Sequence, residues 1–411
     1  MGRLLQRKMN YNIPLMTDNI TRSDINELIE FLQQDPVPRL TNGPKVEEFE
    51  KQWSEWLGVK HSVFVNSGSS ANFITMQLLH YMHGECEIIV PPLTWVSDVA
   101  SVLNTGHKPV FVDINLSNLS FQLDKLEQAI TSKTKAIFLT HVLGLNALTD
   151  RLIKICKDRN ILLIEDVCES HGATFKDKKA GSYGDISNFS FYFAHHMSTI
   201  EGGMVCTNND TFYDILRFSR SHGMLRECKS EEFKNTIKKA HSDLNPDFIF
   251  LNPGNNFRST EINAVLGLAQ IKNLDDNNVK RKANFDFFIQ NLDKNKYITN
   301  LNIEGQCNYA FIVIMKIADI KQRNNIEKVL KDNNIEFRRG LSGGGNQLRQ
   351  PYIEKHAQKM GRSWQAGMSD KALQQSFANT EHVHNYSWYI GNYPTLEKNK
   401  IDNLLKILNN A

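Results

Sequence analysis

Apolar residues recur at helical spacing across 44–57, where Val46, Phe49, Trp53, Trp56 and Leu57 share one face and Gly58 follows as a stop. The next run, 61–65, is β-branched and aromatic, which predicts a strand. It leads into Asn66-Ser67-Gly68-Ser69-Ser70-Ala71-Asn72 and then a second helical pattern that lasts through Met82. A strand, a small polar turn and a helix start together make an anion cradle, because the first N–H groups of a helix have no partner inside it. The same turn can equally be a plain helix cap.

Short apolar runs at 87–90, 110–114, 135–139 and 161–165 then alternate with helical patterns at 125–130 and 148–158. Runs of this kind predict strands buried on both faces. Their alternation with helices predicts an α/β fold with a largely parallel sheet. Ligands of such sheets bind past the carboxyl ends of the strands. Trp95, Asp166 and His195 each fall just past a strand end on this reading, which gathers them at one rim.

From 223 to 250 the chain turns polar and charged without sustained periodicity, which predicts a long loop or lid; loops beyond about 12–15 residues are usually functional or mobile. Helical patterns follow at 260–274 and 279–292. A different mixture comes next: a strand at 311–317, a helix at 321–332, a strand at 335–339 and a closing helix at 395–408. The chain thus divides into an N-terminal segment (1–40), a large domain (41–292) and a small C-terminal α+β domain (293–411). The Gly343-Gly344-Gly345 run predicts a flexible turn or a close backbone approach to a ligand.

Composition narrows the classes. A hydrophobic fraction of 41% and a charged fraction of 23% are those of an ordinary globular protein. The formal net charge of +3 is spread along the chain, so no nucleic-acid partner is indicated, although a local basic pocket would suit a nucleotide diphosphate. No apolar run approaches the roughly 20 residues of a membrane span. Residues 1–9 are basic without an apolar core, so no signal peptide is expected, Met9 is an alternative start, and a cytoplasmic location is expected. Cysteines 86, 156, 168, 206, 228 and 307 are scattered with no C-x-x-C spacing. That pattern predicts buried free thiols and no zinc or iron–sulfur site.

The most specific stretch is Ser190-Phe191-Tyr192-Phe193-Ala194-His195-His196-Met197-Ser198-Thr199-Ile200-Glu201-Gly202-Gly203. It resembles S-F-x-x-x-K-x-x-x-x-x-E-G-G, the signature of the pyridoxal-phosphate sugar aminotransferases of the DegT/DnrJ/EryC1/StrS family. Ser190 falls on the phosphate-binding serine, and His195 stands where the pattern has its cofactor-anchoring lysine. Asp166-Val167-Cys168-Glu169-Ser170-His171-Gly172 matches the family's D-x-x-[QE]-x-x-G. Gly254-Asn255-Asn256-Phe257-Arg258 matches its G-Y-N-x-R, with Asn255 replacing the aromatic residue.

The resemblance implies a fold-type I aminotransferase architecture and a site for pyridoxal or pyridoxamine phosphate. Gly68, Ser69 and Ser190 would hold the phosphate, Trp95 would cover the ring, Asp166 would keep the ring nitrogen protonated, and Glu169 would neighbour the ring hydroxyl. Asn256 would reach the phosphate of a neighbouring subunit, which implies a homodimer with shared active sites. His222 and Arg258 would lie near the substrate. Without the resemblance, such a tryptophan reads as core, such an aspartate as a helix cap and such an asparagine as a turn residue.

Histidine cannot tether the cofactor as lysine does, but it moves protons near neutral pH. The lysine-free branch of the family implies an untethered cofactor that enters as the amine. The implied reaction is removal of the C3 oxygen of a nucleotide-linked 4-keto-6-deoxy sugar, GDP-linked deoxymannose or the corresponding heptose, for dideoxy-sugar synthesis in surface polysaccharide. Ammonia is released and L-glutamate restores the amine. A related CDP-linked branch carries an iron–sulfur cluster, against which the scattered cysteines argue. Two other readings stay open: a sugar aminotransferase whose lysine has been replaced, and a non-catalytic sugar-nucleotide binder. One carbon of sugar is worth only about 1–3 kcal/mol in a hydrophobic pocket, so no residue decides between hexose and heptose.

Overall fold

The computed structural model describes residues 11–359 and 368–411; the basic start of the chain lies outside the described residues. Nine strands occupy the first half: β1 His61–Val65, β2 Glu87–Val90, β3 Lys108–Phe111, β4 Thr134–Thr140, β5 Leu162–Asp166, β6 Thr174–Phe175, β7 Lys178–Lys179, β8 Ile186–Ser190 and β9 Gly203–Thr207. Seven of them form one sheet in the order β1-β9-β8-β5-β4-β2-β3, while β6 and β7 make a separate ribbon. From β8 to β3 all neighbours are parallel. Only β9 is reversed, antiparallel to both β8 and β1. The sheet is therefore mixed. A loop without a helix joins β8 to β9, and a parallel neighbour would need a crossover.

Burial on both faces follows from strand alternation. In β4, Ala136 and Phe138 pack with the helices α3 Gly68–His83 and α4 Val96–Asn104, whereas Ile137 and Leu139 pack on the opposite side with residues of the Asp150–Arg159 helix. Each such large side chain contributes about 1.5–3 kcal/mol on burial, which fixes the strand register. β5 shows the same alternation in polar form. Glu165 is wholly buried and accepts from the N–H groups of Gly181 (2.8 Å), Tyr183 (3.0 Å) and Gly184 (2.6 Å), so it is structural. Its neighbour Asp166 ends the strand at the site rim.

The second sheet, β10 Ala310–Ile314, β11 Phe337–Arg339 and β12 Ser387–Gly391, runs antiparallel in the order β10-β12-β11. Helices Ile320–Asp332 and Lys398–Asn410 cover it, as the α+β pattern predicts. The central strand β12, Ser-Trp-Tyr-Ile-Gly with a fully buried Trp388, has strand composition but follows a polar helix and falls outside the predicted elements.

One expectation is corrected. The 223–250 stretch is not one loop: it contains the helix Glu231–Ala240. That helix buries no residue fully, and its apolar stripe is only Phe233 and Ile237, four apart and half-buried against the core, which the surrounding charges obscure in the sequence. Its signals are a Ser230 cap, Glu231 and Glu232 in the first turn, and Lys238 and Lys239 in the last, which suit the helix dipole. The N-terminal segment is also structured. It forms α1 Arg22–Leu32 behind a Thr21/Asp24 capping box. Gln270 of the Glu261–Ile271 helix donates to Asp24 (2.6 Å), while Ile13 bridges to Ile335 beside the small sheet. Among the described residues no helix is long and apolar enough to cross a membrane.

Candidate active site

A cavity of about 310 Å³ opens at the carboxyl ends of β5 and β8. Gly68, Ser69, Trp95, Asp166, Glu169, Ser190 and His195 all line it, so seven of the ten residues singled out from sequence meet at one place. His222, Asn256 and Arg258 do not line it. Asn256 and His222 are exposed at the outer edge of the sheet, where Arg258 bridges to Val65 of β1 and Asn256 bridges to Ser221. The Asn256 side chain accepts from the backbone N–H and Nε of Arg258, at 3.1 and 3.2 Å.

The cradle is built by close backbone approach. Ser67 caps α3 by accepting from the Ser70 N–H at 3.1 Å, which leaves the Gly68 and Ser69 N–H groups without an intrahelical acceptor. A Cβ on Gly68 would stand 2.6 Å from Ser190 Cβ, and one on Gly203 would stand 2.3 Å from the Ser67 carbonyl oxygen. Glycine is required at both places because the two turns touch. The α3 dipole contributes only about 0.3–1 kcal/mol to an anion. The Ser69 and Ser190 hydroxyls and the ring contacts must supply more.

His195 sits in the β8–β9 connection, with its carbonyl oxygen accepting from Asn19 Nδ2 at 2.5 Å. Its Nδ1 lies 3.0 Å from the Ser190 carbonyl oxygen. A carbonyl only accepts, so Nδ1 carries the proton and Nε2 of the neutral ring presents its lone pair. Burial pushes the imidazole down to about 4, with the Arg281 cation adding to the effect; the Ser190 carbonyl and the Asp166 charge pull the other way. The ring is therefore neutral at pH 7. His196, the other histidine of the pair, turns into the protein and meets the Cys307 carbonyl at 2.8 Å.

Asp166 Oδ1 accepts from the Cys168 N–H at 2.8 Å. Glu169 accepts from the Leu143 N–H (3.0 Å) and the Ser342 hydroxyl (2.9 Å). Burial pushes its carboxyl up to about 7 against those two hydrogen bonds. Trp95 stands at the mouth, 50% exposed. Three lining residues escaped the sequence pattern: Tyr309 (which precedes β10), Ser342, and Tyr389 of β12 reach the cavity from the region of the second sheet. Ser342 abuts the Gly343 turn, and Tyr389 belongs to β12, whose strand composition was the available signal. No periodicity marks Tyr309.

These groups fit pyridoxal phosphate: helix-start N–H groups and hydroxyls for a phosphate, an aromatic wall, a carboxylate for the ring nitrogen and a neutral imidazole. Fold and cavity together define a pyridoxal-phosphate enzyme of the aminotransferase type. The chain belongs to the DegT/DnrJ/EryC1/StrS aminotransferase family, whose pattern matches residues 18–409. It is 31% identical over 410 residues to GDP-4-keto-6-deoxy-D-mannose 3-dehydratase of Yersinia pseudotuberculosis, covering 98% of this chain and 99% of that protein. Among solved structures, the Escherichia coli GDP-4-keto-6-deoxy-D-mannose 3-dehydratase with bound hydrated pyridoxal phosphate is 27% identical, with a TM-score of 0.83 over 97% of this chain and 99% of that one. A GDP-4-keto-6-deoxymannose 3-dehydratase holding a trapped cofactor–glutamate geminal diamine is 26% identical, with a TM-score of 0.83 over 97% of this chain and 100% of that one.

Proposed function

We propose that the protein removes the C3 oxygen of a nucleotide-linked 4-keto-6-deoxy sugar, GDP-linked deoxymannose or the corresponding heptose, using an untethered pyridoxamine phosphate that L-glutamate regenerates. One observation carries this reading: the residue in the anchoring position is a neutral histidine whose Nδ1 is committed to the Ser190 carbonyl, and among the described residues no lysine lines the cavity. The names of the relatives support the sugar and its nucleotide.

When bound, the cofactor supplies an amine for the sugar's keto group and an electron-accepting ring. The chain supplies the rest. His195 Nε2 would take the proton at the C4′ carbon, and the nearby Asp166 charge would favour the imidazolium so formed. The imidazolium then returns a proton to the departing C3 oxygen, which leaves as water. Asp166 fixes a negative charge beside the ring nitrogen. Glu169, with its proton balanced near neutral pH, serves the ring hydroxyl. Tyr309 and Tyr389 contribute further aromatic wall to the cavity. A second copy of the chain, to which Asn256 and Arg258 turn their exposed edge, would complete the site.

The test is the product. With cofactor, L-glutamate and GDP-4-keto-6-deoxy-mannose, mass spectrometry should show a sugar nucleotide lighter by one oxygen, with ammonia released. A product that gains an amine would make the protein an aminotransferase. An unchanged sugar bound by the protein would make it a binder.

A further inference from the structure

We propose that Asp98 is a positioning residue of the cofactor site: it stays un-ionised inside a ring of hydroxyls, so that the single negative charge of an Asp98–Asp166 carboxyl pair rests on Asp166, at the cavity. Asp98 lies in the first turn of α4, wholly buried, and does not itself line the cavity. In the sequence it is indistinguishable from an ordinary acid at a helix start.

The hydroxyl ring fixes the number of protons around Asp98. Asp98 Oδ2 meets the Thr94 hydroxyl and, at 3.0 Å, the Thr140 hydroxyl, while these two hydroxyls meet each other at 2.7 Å. Three oxygen–oxygen contacts need three protons, and two threonines bring two. An un-ionised Asp98 brings the third: its O–H donates to Thr94, Thr94 to Thr140, and Thr140 back to Asp98. The other carboxyl oxygen, Oδ1, accepts from Asn72 Nδ2 at 2.7 Å. The same amide nitrogen lies 3.4 Å from Asp166 Oδ2 and 3.1 Å from the Ser97 hydroxyl, so Asn72 ties the two carboxyls together.

The titratable groups that face Asp98 are Asp166, Cys168 and Tyr352, and none of them is a cation. Among the described residues neither aspartate has an ion-pair partner. Two adjacent buried carboxyls without a cation do not both ionise. Burial, and after it the Asp166 charge, pushes Asp98 well above the usual carboxylate range, in agreement with the proton count. Asp166 is the member with a backbone N–H donor and with access to the cavity. The charge therefore lies where a protonated ring nitrogen needs it.

This inference rests on the cofactor reading of the cavity and is indifferent to whether the reaction is dehydration or transamination. Its first test uses cofactor-free protein, so its failure leaves the proposed reaction untouched. Infrared spectra of the full chain carrying carboxyl-13C aspartate, at ~pH 8 and so about four units above the ordinary aspartate pKa, should contain the carbonyl band of an un-ionised aspartic acid. Asp98→Asn should remove that band. Thr140→Val, which opens the hydroxyl ring but keeps both carboxyls, should shift it and serves if Asp98→Asn does not fold. Asp98→Asn should also bind pyridoxamine phosphate as tightly as the natural chain, since an amide replaces a neutral acid. A spectrum without the band, a band indifferent to both substitutions, or roughly tenfold or greater loss of cofactor affinity in Asp98→Asn would overturn the assignment.

Discussion

Replacing His195 by asparagine lowers kcat by about 10²–10⁴-fold, the range for loss of a positioned general base, while cofactor affinity stays close to that of the natural chain. The reason is the division of labour on the ring. Nδ1 is committed to the Ser190 carbonyl, and an asparagine amide can keep a similar bond, whereas nothing in asparagine replaces the basic Nε2. Steady-state kinetics with equilibrium titration of pyridoxamine phosphate checks both halves. Turnover that survives the substitution would place the base elsewhere, and lost cofactor binding would make His195 a binding residue. The imidazole is pushed down to about 4, so the base form is present throughout the neutral range and is lost only as the pH falls toward that value. The acid limb of the rate should accordingly lie well below pH 6.5 in the natural chain.

The second large effect belongs to Asp166. Asp166→Asn removes the fixed charge beside the ring nitrogen, and the account predicts a fall of about two to three orders of magnitude in both halves of the cycle: the sugar reaction and the return of the amine by glutamate. Losing both halves together is diagnostic, because the same electron-accepting ring serves each. Single-turnover absorbance changes with glutamate alone isolate one half. A glutamate half-reaction at the natural rate in Asp166→Asn would remove this carboxylate from the mechanism.

Much of this site was legible because it lies on elements whose period is plain. The 44–57 helix and the strands at 61–65 and 87–90 are bounded in the structure as the apolar pattern predicts, and they deliver the Ser67–Gly68 turn and Trp95 to the rim. The Glu201-Gly202-Gly203 end of the histidine motif also acquires a physical reason, since Gly203 lets the Ser67 turn pass. What the pattern hid falls into two kinds. The helix at 231–240 offers only Phe233 and Ile237, half-buried, among charged residues. Asp98, Tyr309 and Ser342 act through contacts distant in sequence, such as Ser342 to Glu169, which no local spacing encodes. The motif singles out His195 over His196, and the geometry agrees: the His195 ring lines the cavity, while His196 is bound to the Cys307 carbonyl.

The central claim is that the cofactor is held without a covalent bond. A dissociation constant of ~1 μM corresponds to about 8 kcal/mol, far more than a helix dipole supplies. The load must be spread over the cradle, the aromatic wall and Asp166. Borohydride reduction of protein saturated with pyridoxal phosphate, followed by intact-mass measurement and peptide mapping, puts this to the test most directly. The account predicts the mass of the unmodified chain; stoichiometric gain of one phosphopyridoxyl group on any lysine would contradict it.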